Sequence, residues 1–353
     1  MGVSLRFAPL LIPVVALGLG TSCAKKVDKF TVNAVVLRTG AKVGDVRKVC
    51  ALGVALSPPL RALGSQKHPP RLAMVIAETT SALCAEEEAW EAELDSVRAR
   101  HNLVDLAARS AEVKDARIRE ERAHARSADR WFRAFQQAEE AFGPMGVDCP
   151  RIKEDNEIVY LLALVAGVKA LMHDKDGGSQ LRVPTDVLMR VSRGSRCLDN
   201  KKWWNVPAAI EAATWAMIPG FGPEEIDAWA KLEEAAVAGE ASGVRVARGL
   251  QVSIGANADL EEYVARGIRG HAASMEAVPT NPDWALLDEY ARLVTSHESD
   301  LIWTEARGHR TEKLGSLPND VIRQTPVFNP FDEADPFDSE DPFAEPEQPS
   351  EPE

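Results

Sequence analysis

Residues 154–173, EDNEIVYLLALVAGVKALMH, narrow the architecture more than any other stretch of this chain. Charge occurs only at the ends of the run and at Lys169. A helix that is apolar on nearly every face has to be covered on nearly every face. It therefore needs a shell of other elements, and the composition supplies helices: Ala, Glu, Arg and Leu dominate, and aromatic residues make up only 6%. Gly167 lies mid-run, where glycine costs about 1 kcal/mol relative to alanine, so it predicts a close helix crossing at that point.

The shell can be read on both sides of this run. Asp45 is placed as an N-cap, and apolar residues at 46, 49, 50, 54 and 56 keep helical spacing until Pro58-Pro59 kinks or ends the helix. The turn 64–70 (GSQKHPP) leads to a second helix from Arg71, with Leu72, Val75, Ile76, Thr79 and Leu83 on one face. Residues 86–126 predict a largely solvated helix with a break near His101-Asn102, and 127–142 an amphipathic one stopped by Gly143-Pro144. After the central run come a short helix from Pro184 to Val191 and a buried helix within 203–218 starting at Val206-Pro207. Further helices are predicted over 223–241, 243–254, 258–278 and 282–305. Their short connections imply antiparallel neighbours. The expected fold is all-α, an array of antiparallel helix pairs over 45–310.

The address is written at the other end. Arg6 precedes an apolar stretch over 7–19, which is of signal-peptide length and too short to span a bilayer. Gly20-Thr21-Ser22 and then Cys23 follow. This resembles the lipobox of bacterial lipoproteins, in which the thiol is acylated and the chain is cut just before it. The usual Leu three residues before the cysteine is here Gly20, with Leu19 one step earlier. The competing reading is a plain secretory peptide with Cys23 in an ordinary disulfide. The lipobox implies a signal peptide over 1–22, a leader over 23–44, and a lipid membrane anchor at Cys23, whose two or more acyl chains give stable attachment. Ala24, rather than Asp, after Cys23 favours the outer membrane, facing the periplasm.

Four further cysteines, Cys50, Cys84, Cys149 and Cys197, lack CxxC spacing, so a zinc site is not expected. In an oxidising compartment an even number suggests disulfides, and four cysteines allow three pairings. The helix order ranks them. Cys50 and Cys84 each lie 17 residues from Lys67 at the centre of the turn, so an antiparallel hairpin sets them side by side. The helix after Pro184 runs back towards the start of the central one, which brings Cys149 and Cys197 to the same end.

The net charge of −13 is unevenly placed: ten acids and no base fall in 329–353, leaving −3 for the rest. A body without a basic stripe is not expected to bind nucleic acid. The tail repeats a short unit ending in Phe331, Phe337 and Phe343. Acid, proline and isolated phenylalanine cannot build a core, so a disordered tail is expected over 311–353. It is read as a solvated spacer or as a set of docking anchors for protein partners.

No GxSxG or HExxH occurs, and the seven histidines are scattered. No acid, base and nucleophile set can be assembled, so the chain is read as a non-enzyme with no cofactor and no metal. Asp174-Lys175-Asp176-Gly177-Gly178 begins like a calcium loop but departs from it at Gly178, Ser179 and Thr185, and is read as a helix-ending turn. Trp203, Trp204, Trp215 and Trp229 either line an apolar ligand cavity or pack as core.

Two stretches, 229–243 (WAKLEEAAVAGEASG) and 263–283 (YVARGIRGHAASMEAVPTNPD), look like the second half of a degenerate tetratricopeptide unit. Together with the lipobox, the order of segments resembles the T-component lipoproteins of TRAP transporters (TatT-like). The similar stretches are 23–35, 45–63 with 68–83, 122–142, 156–171 and 281–303. KKWWNVP at 201–207, the four cysteines and the tail depart from that pattern. The resemblance implies a tetratricopeptide-like periplasmic fold, a homo-oligomer (a trimer in the family), a periplasmic solute receptor as partner, and an apolar channel. No ligand residue carries over. The expected function is a non-catalytic binding subunit for a solute receptor or apolar ligand. The alternative is a structural or adaptor envelope lipoprotein presenting its helices and tail to protein partners.

Overall fold

The computed structural model describes residues 22–63, 69–101 and 106–320, with the side chains of 22–24 and 106–109 not described. The signal segment before residue 22, the side chain of Cys23, and Phe331, Phe337 and Phe343 with most of the acidic tail lie outside the described residues. Among the described residues the chain is all helical, with no strand. In order, the helices are α1 (Ser22–Phe30), α2 (Val46–Leu63), α3 (Arg71–His101), α4 (Leu106–Phe142), α5 (Glu157–Asp176), α6 (Asp186–Ser195), α7 (Val206–Met217), α8 (Ala228–Glu240), α9 (Val246–Asn257), α10 (Glu261–Ala277) and α11 (Ala285–Arg307). A wide π-type turn (Thr31–Leu37) and a tight one (Gly40–Lys42) link α1 to α2. From α2 onward each helix packs on the next, and α11 returns to lie on α3.

The apolar run is α5, packed against α3, α4, α6 and α7. Val159, Tyr160, Ala163, Leu164 and Val168 are fully buried. By length and composition 154–176 could cross a bilayer, but 78% of its apolar window is buried inside the protein. Gly167 marks a close crossing: a Cβ there would lie 2.6 Å from Val191 Cγ2 on α6 and 2.9 Å from Phe135 Cδ2 on α4.

Three expectations are narrowed or corrected. Of the kink or end expected at Pro58-Pro59, the end does not occur: α2 continues through both prolines to Leu63. Side-chain bonds hold that half instead: Ser57 Oγ and Arg61 Nε each donate to Glu78 Oε1 at 2.7 Å. The 86–126 stretch is solvated only in part. Residues 110–115 and 117–122 are exposed or half-exposed. Alanines 89, 99, 116 and 123 are buried, small residues let α3 and α4 approach closely, and α11 covers α3 from another side. Residues 223–227 form turns before α8, which starts at Ala228 because Asp227 Oδ1 caps it, accepting from the N–H groups of Trp229 and Ala230.

Disulfides join Cys50 to Cys84 (Cα–Cα 5.4 Å), across α2 and α3, and Cys149 to Cys197 (Cα–Cα 5.3 Å), tying the segment before α5 to the end of α6. Farther along, the fully buried Arg245 guanidinium pairs with Asp288 at 2.7 Å and donates to Ser274 Oγ at 2.8 Å, fastening the start of α9 to α10 and α11.

Candidate functional site

Two cavities of opposite character share a wall. The first, of about 90 Å3, lies between α2, α3, α5 and α11 under the Thr31–Leu37 turn. Val35 and Val36 roof it, Leu52, Ile76 and Leu161 line its sides, and Trp131, Trp204 and Trp284 face it. A dry cavity of ~150 Å3 accepts benzene, so this one has room for a short alkyl group. Trp204 and Asn205 reach α7 through left-handed backbone, with φ of 51° and 60°. A bulky residue in that conformation costs roughly 1–2 kcal/mol. Edge-to-face packing of Trp204 on Trp284, centroids 4.9 Å apart, holds it there.

Of the four tryptophans singled out in the sequence, only Trp204 lines this cavity. Trp203 packs on Trp204 and Trp284 and donates Nε1–H to Glu157 at 2.9 Å. Trp215 covers Gly222, and Trp229 meets Tyr263 edge-on. These three are packing residues because the KKWWNVP segment, α7 and α8 turn their rings against neighbouring residues. Trp131 and Trp284 take the positions facing the cavity.

The second cavity, of about 280 Å3, is polar. It sits among α3, α4, α5, α9 and α11, where Glu86, Glu93, His124, His173, Asp176, His297 and Glu298 converge with Lys169. The shared wall is Tyr290 and Glu86. The Tyr290 ring lines the apolar side, and its hydroxyl donates to Glu86 Oε2 at 2.8 Å. Glu86 Oε1 takes Lys169 Nζ at 2.9 Å and His173 Nε2 at 3.1 Å. Burial alone would push this carboxyl up, but the Lys169 ammonium and the His173 hydrogen bond outweigh it and hold it at about 2. Tyr290 is pushed well above its ordinary value by burial and by the Glu86 charge.

The histidines form a chain. His124 Nδ1 and His173 Nδ1 are 2.9 Å apart. His124 Nε2 is buried without a hydrogen-bond partner, 3.9 Å from Glu93 Oε2. Glu93 in turn receives His297 Nε2 at 2.8 Å, and His297 stacks on Trp90 with centroids 5.0 Å apart. Burial would lower His297, but the Glu93 hydrogen bond raises it, and the same contact holds Glu93 down against the effect of its own burial. Burial, with His173 close by, lowers His124 to about 4. Burial lifts Asp176 to about 6 and the half-buried Glu298 to about 7.

Sequence reasoning did not find this centre. Its members come from α3, α4, α5 and α11, and the short spacings within it, Lys169–His173–Asp176 on α5 and His297–Glu298 on α11, do not join one helix to another. Asp174 of the calcium-like stretch caps the turn after α5, with its carboxylate accepting the Leu181 and Val183 N–H groups at 2.9 and 2.8 Å. Asp176 instead lines the polar cavity. The one available signal was the run of buried-face polar residues on otherwise alanine-rich helices. No protein-family model matches the chain, and no curated protein or solved structure matches it either.

Proposed function

We propose that this chain is a non-catalytic, lipid-anchored protein of the bacterial envelope whose helical array holds the apolar end of a ligand, in the manner implied by its resemblance to T-component lipoproteins. The apolar cavity carries this reading. It is walled by aliphatic side chains and three tryptophans, and it lies beneath an irregular turn rather than a regular helix. An irregular covering segment can move at lower cost than a packed helix. The volume suits an alkyl segment rather than a whole drug-sized solute, which needs ~300 Å3 or more. The successive helix pairs then act as a degenerate tetratricopeptide-like scaffold, presenting this site near the membrane to which acylated Cys23 tethers the chain.

Fatty acids carrying bromine at different depths test the binding claim, since bromine quenches tryptophan on contact. Quenching should be strongest for one depth, and it should weaken in Trp204→Phe and in the cavity-filling variant Ala77→Leu. Equal insensitivity across chain lengths would remove the apolar-ligand reading. The tether is tested separately by palmitate labelling, which should disappear in Cys23→Ser.

A further inference from the structure

The polar cavity assembles two imidazoles and a carboxylate whose ligand atoms lie within 4.8 Å of one another: His124, His173 and Asp176. We propose that His124 Nδ1, His173 Nδ1 and the Asp176 carboxylate bind a divalent first-row transition-metal ion.

Hydrogen-bond accounting is the first argument. The two Nδ1 atoms face each other at 2.9 Å, so with both rings neutral one must donate and the other accept. If His124 donates, its Nε2 carries a lone pair turned towards the Glu93 carboxylate at 3.9 Å, and that atom is indeed buried with no hydrogen-bond partner. If His173 donates, its own Nε2 lone pair faces Glu86 Oε1 at 3.1 Å. Either tautomer sets a lone pair against a carboxylate. A cation at the paired Nδ1 atoms, a metal ion or one shared proton, removes the conflict, because both rings then carry their own proton on Nε2, and the ligand geometry and the cavity's charge select the metal ion. His173 donates to Glu86, and His124 donates towards Glu93. The His124 ring proton moves from Nδ1 to Nε2, and the rings release none.

Ligand geometry is the second argument. Metal–nitrogen bonds of about 2.0–2.1 Å place adjacent ligand atoms roughly 2.9 Å apart at right angles and about 3.4 Å apart at the tetrahedral angle, and the two Nδ1 atoms, at 2.9 Å, already have the right-angled spacing. Asp176 Oδ2 is 3.9 Å from His124 Nδ1, and its half-exposed side chain, at the end of α5, needs only a small rotation to close the triangle. His173 and Asp176 stand three residues apart on one helix and so share a face. The neighbouring carboxylates have the arrangement that orients ligating imidazoles in metal proteins: Glu86 is fixed by Lys169 and Tyr290, and Glu93 by His297.

Charge is the third. Five carboxylates line the cavity against Lys169 and Lys175. Two imidazoles with one carboxylate is a set used for divalent iron and its neighbours, and it leaves positions open to the cavity.

The test uses the mature chain, stripped with chelator and dialysed against Zn2+ or Co2+. One equivalent of metal should remain, and Co2+ should give a visible ligand-field spectrum. His124→Gln and Asp176→Asn should abolish that spectrum while the far-ultraviolet helical signal persists. Glu93→Gln, which changes only the outer partner, should weaken binding by roughly 10–100-fold. His271→Gln, outside the cavity, should leave binding unchanged. The proposal is overturned if no stoichiometric metal is retained and nitrogen-15 spectra show only a proton shared between the two rings. Glu120 and Glu93 flank His124 as a second group with ligand atoms within 4.8 Å of one another, so the proposal is equally overturned if metal survives in His173→Gln and Asp176→Asn but is lost in Glu120→Gln.

Discussion

Tyr290 and Glu86, 204 residues apart, are joined by a 2.8 Å hydrogen bond that forms the partition between an oily cavity and a charged one. Glu86 is fully buried, and its charge is tolerated because Tyr290, Lys169 and His173 together occupy its oxygens. Removing one partner should therefore have unequal effects. Tyr290→Phe deletes a hydrogen bond to a charged group and should cost about 1.5–3 kcal/mol. Lys169→Met leaves the carboxylate without its ammonium and should cost about 3–5 kcal/mol. Urea titrations of the two variants and of their double mutant measure both values and the coupling between them.

Gly167 offers a test in which helix propensity and packing oppose each other. Alanine is the better helix former by about 1 kcal/mol. The added methyl would press on Val191 and Phe135, both buried in the core. Overpacking of this kind costs about 1–3 kcal/mol. Gly167→Ala should be net destabilising, seen as a lower Tm, and the pair Gly167→Ala with Val191→Ala should recover part of the loss.

The Cys50–Cys84 bridge closes a 34-residue separation. Restricting the unfolded chain over such a loop is worth about 2–4 kcal/mol. The double variant Cys50→Ala, Cys84→Ala should unfold at correspondingly lower denaturant. Reductant should lower the midpoint of the wild type by more than that of this variant, because the variant keeps only Cys149–Cys197.

His271 sets an acid sensitivity away from the polar cavity. It is fully buried, with Thr295 Oγ1 at 3.2 Å from Nδ1, and burial lowers it to about 3. Unfolded, it would take a proton near its ordinary value of 6.5. Between those values the unfolded chain binds more protons, so stability rises with pH through this window and is lost on acidification. The loss should approach about 1.4 kcal/mol per pH unit below 6.5 and level off near 3. In His271→Asn, stability plotted against pH should be flatter over this range. An unchanged slope would assign the sensitivity to other groups.

Much of the scaffold could be read directly from the chain, since helices announce themselves locally. Pro207 at the start of α7, Gly143 after α4 and the uninterrupted apolar run of α5 are signals contained within a few turns. The position of Cys50 relative to Cys84 follows from the same local geometry, because a turn between two helices sets residues at equal distances from it side by side. The errors arose where a distant element changed the outcome. Pro58 and Pro59 stayed within α2 because Glu78 on α3 holds its far half, and the α3 part of the alanine-rich 86–126 stretch is covered because α11 returns to it.

By itself the chain determined that this protein is built from helices, where most of them begin and end, and which one lies at the centre. These follow from spacing along the backbone, which is a short-range property. Only the tertiary structure decided which polar residues would be enclosed together. Glu86, His124, His173 and His297 occupy four separate helices, and no interval between them in the sequence has meaning until α11 closes on α3. A charged residue on an alanine-rich helix looks the same in sequence whether it meets water or another helix. What distinguishes the two cases is desolvation, and that depends on the whole fold.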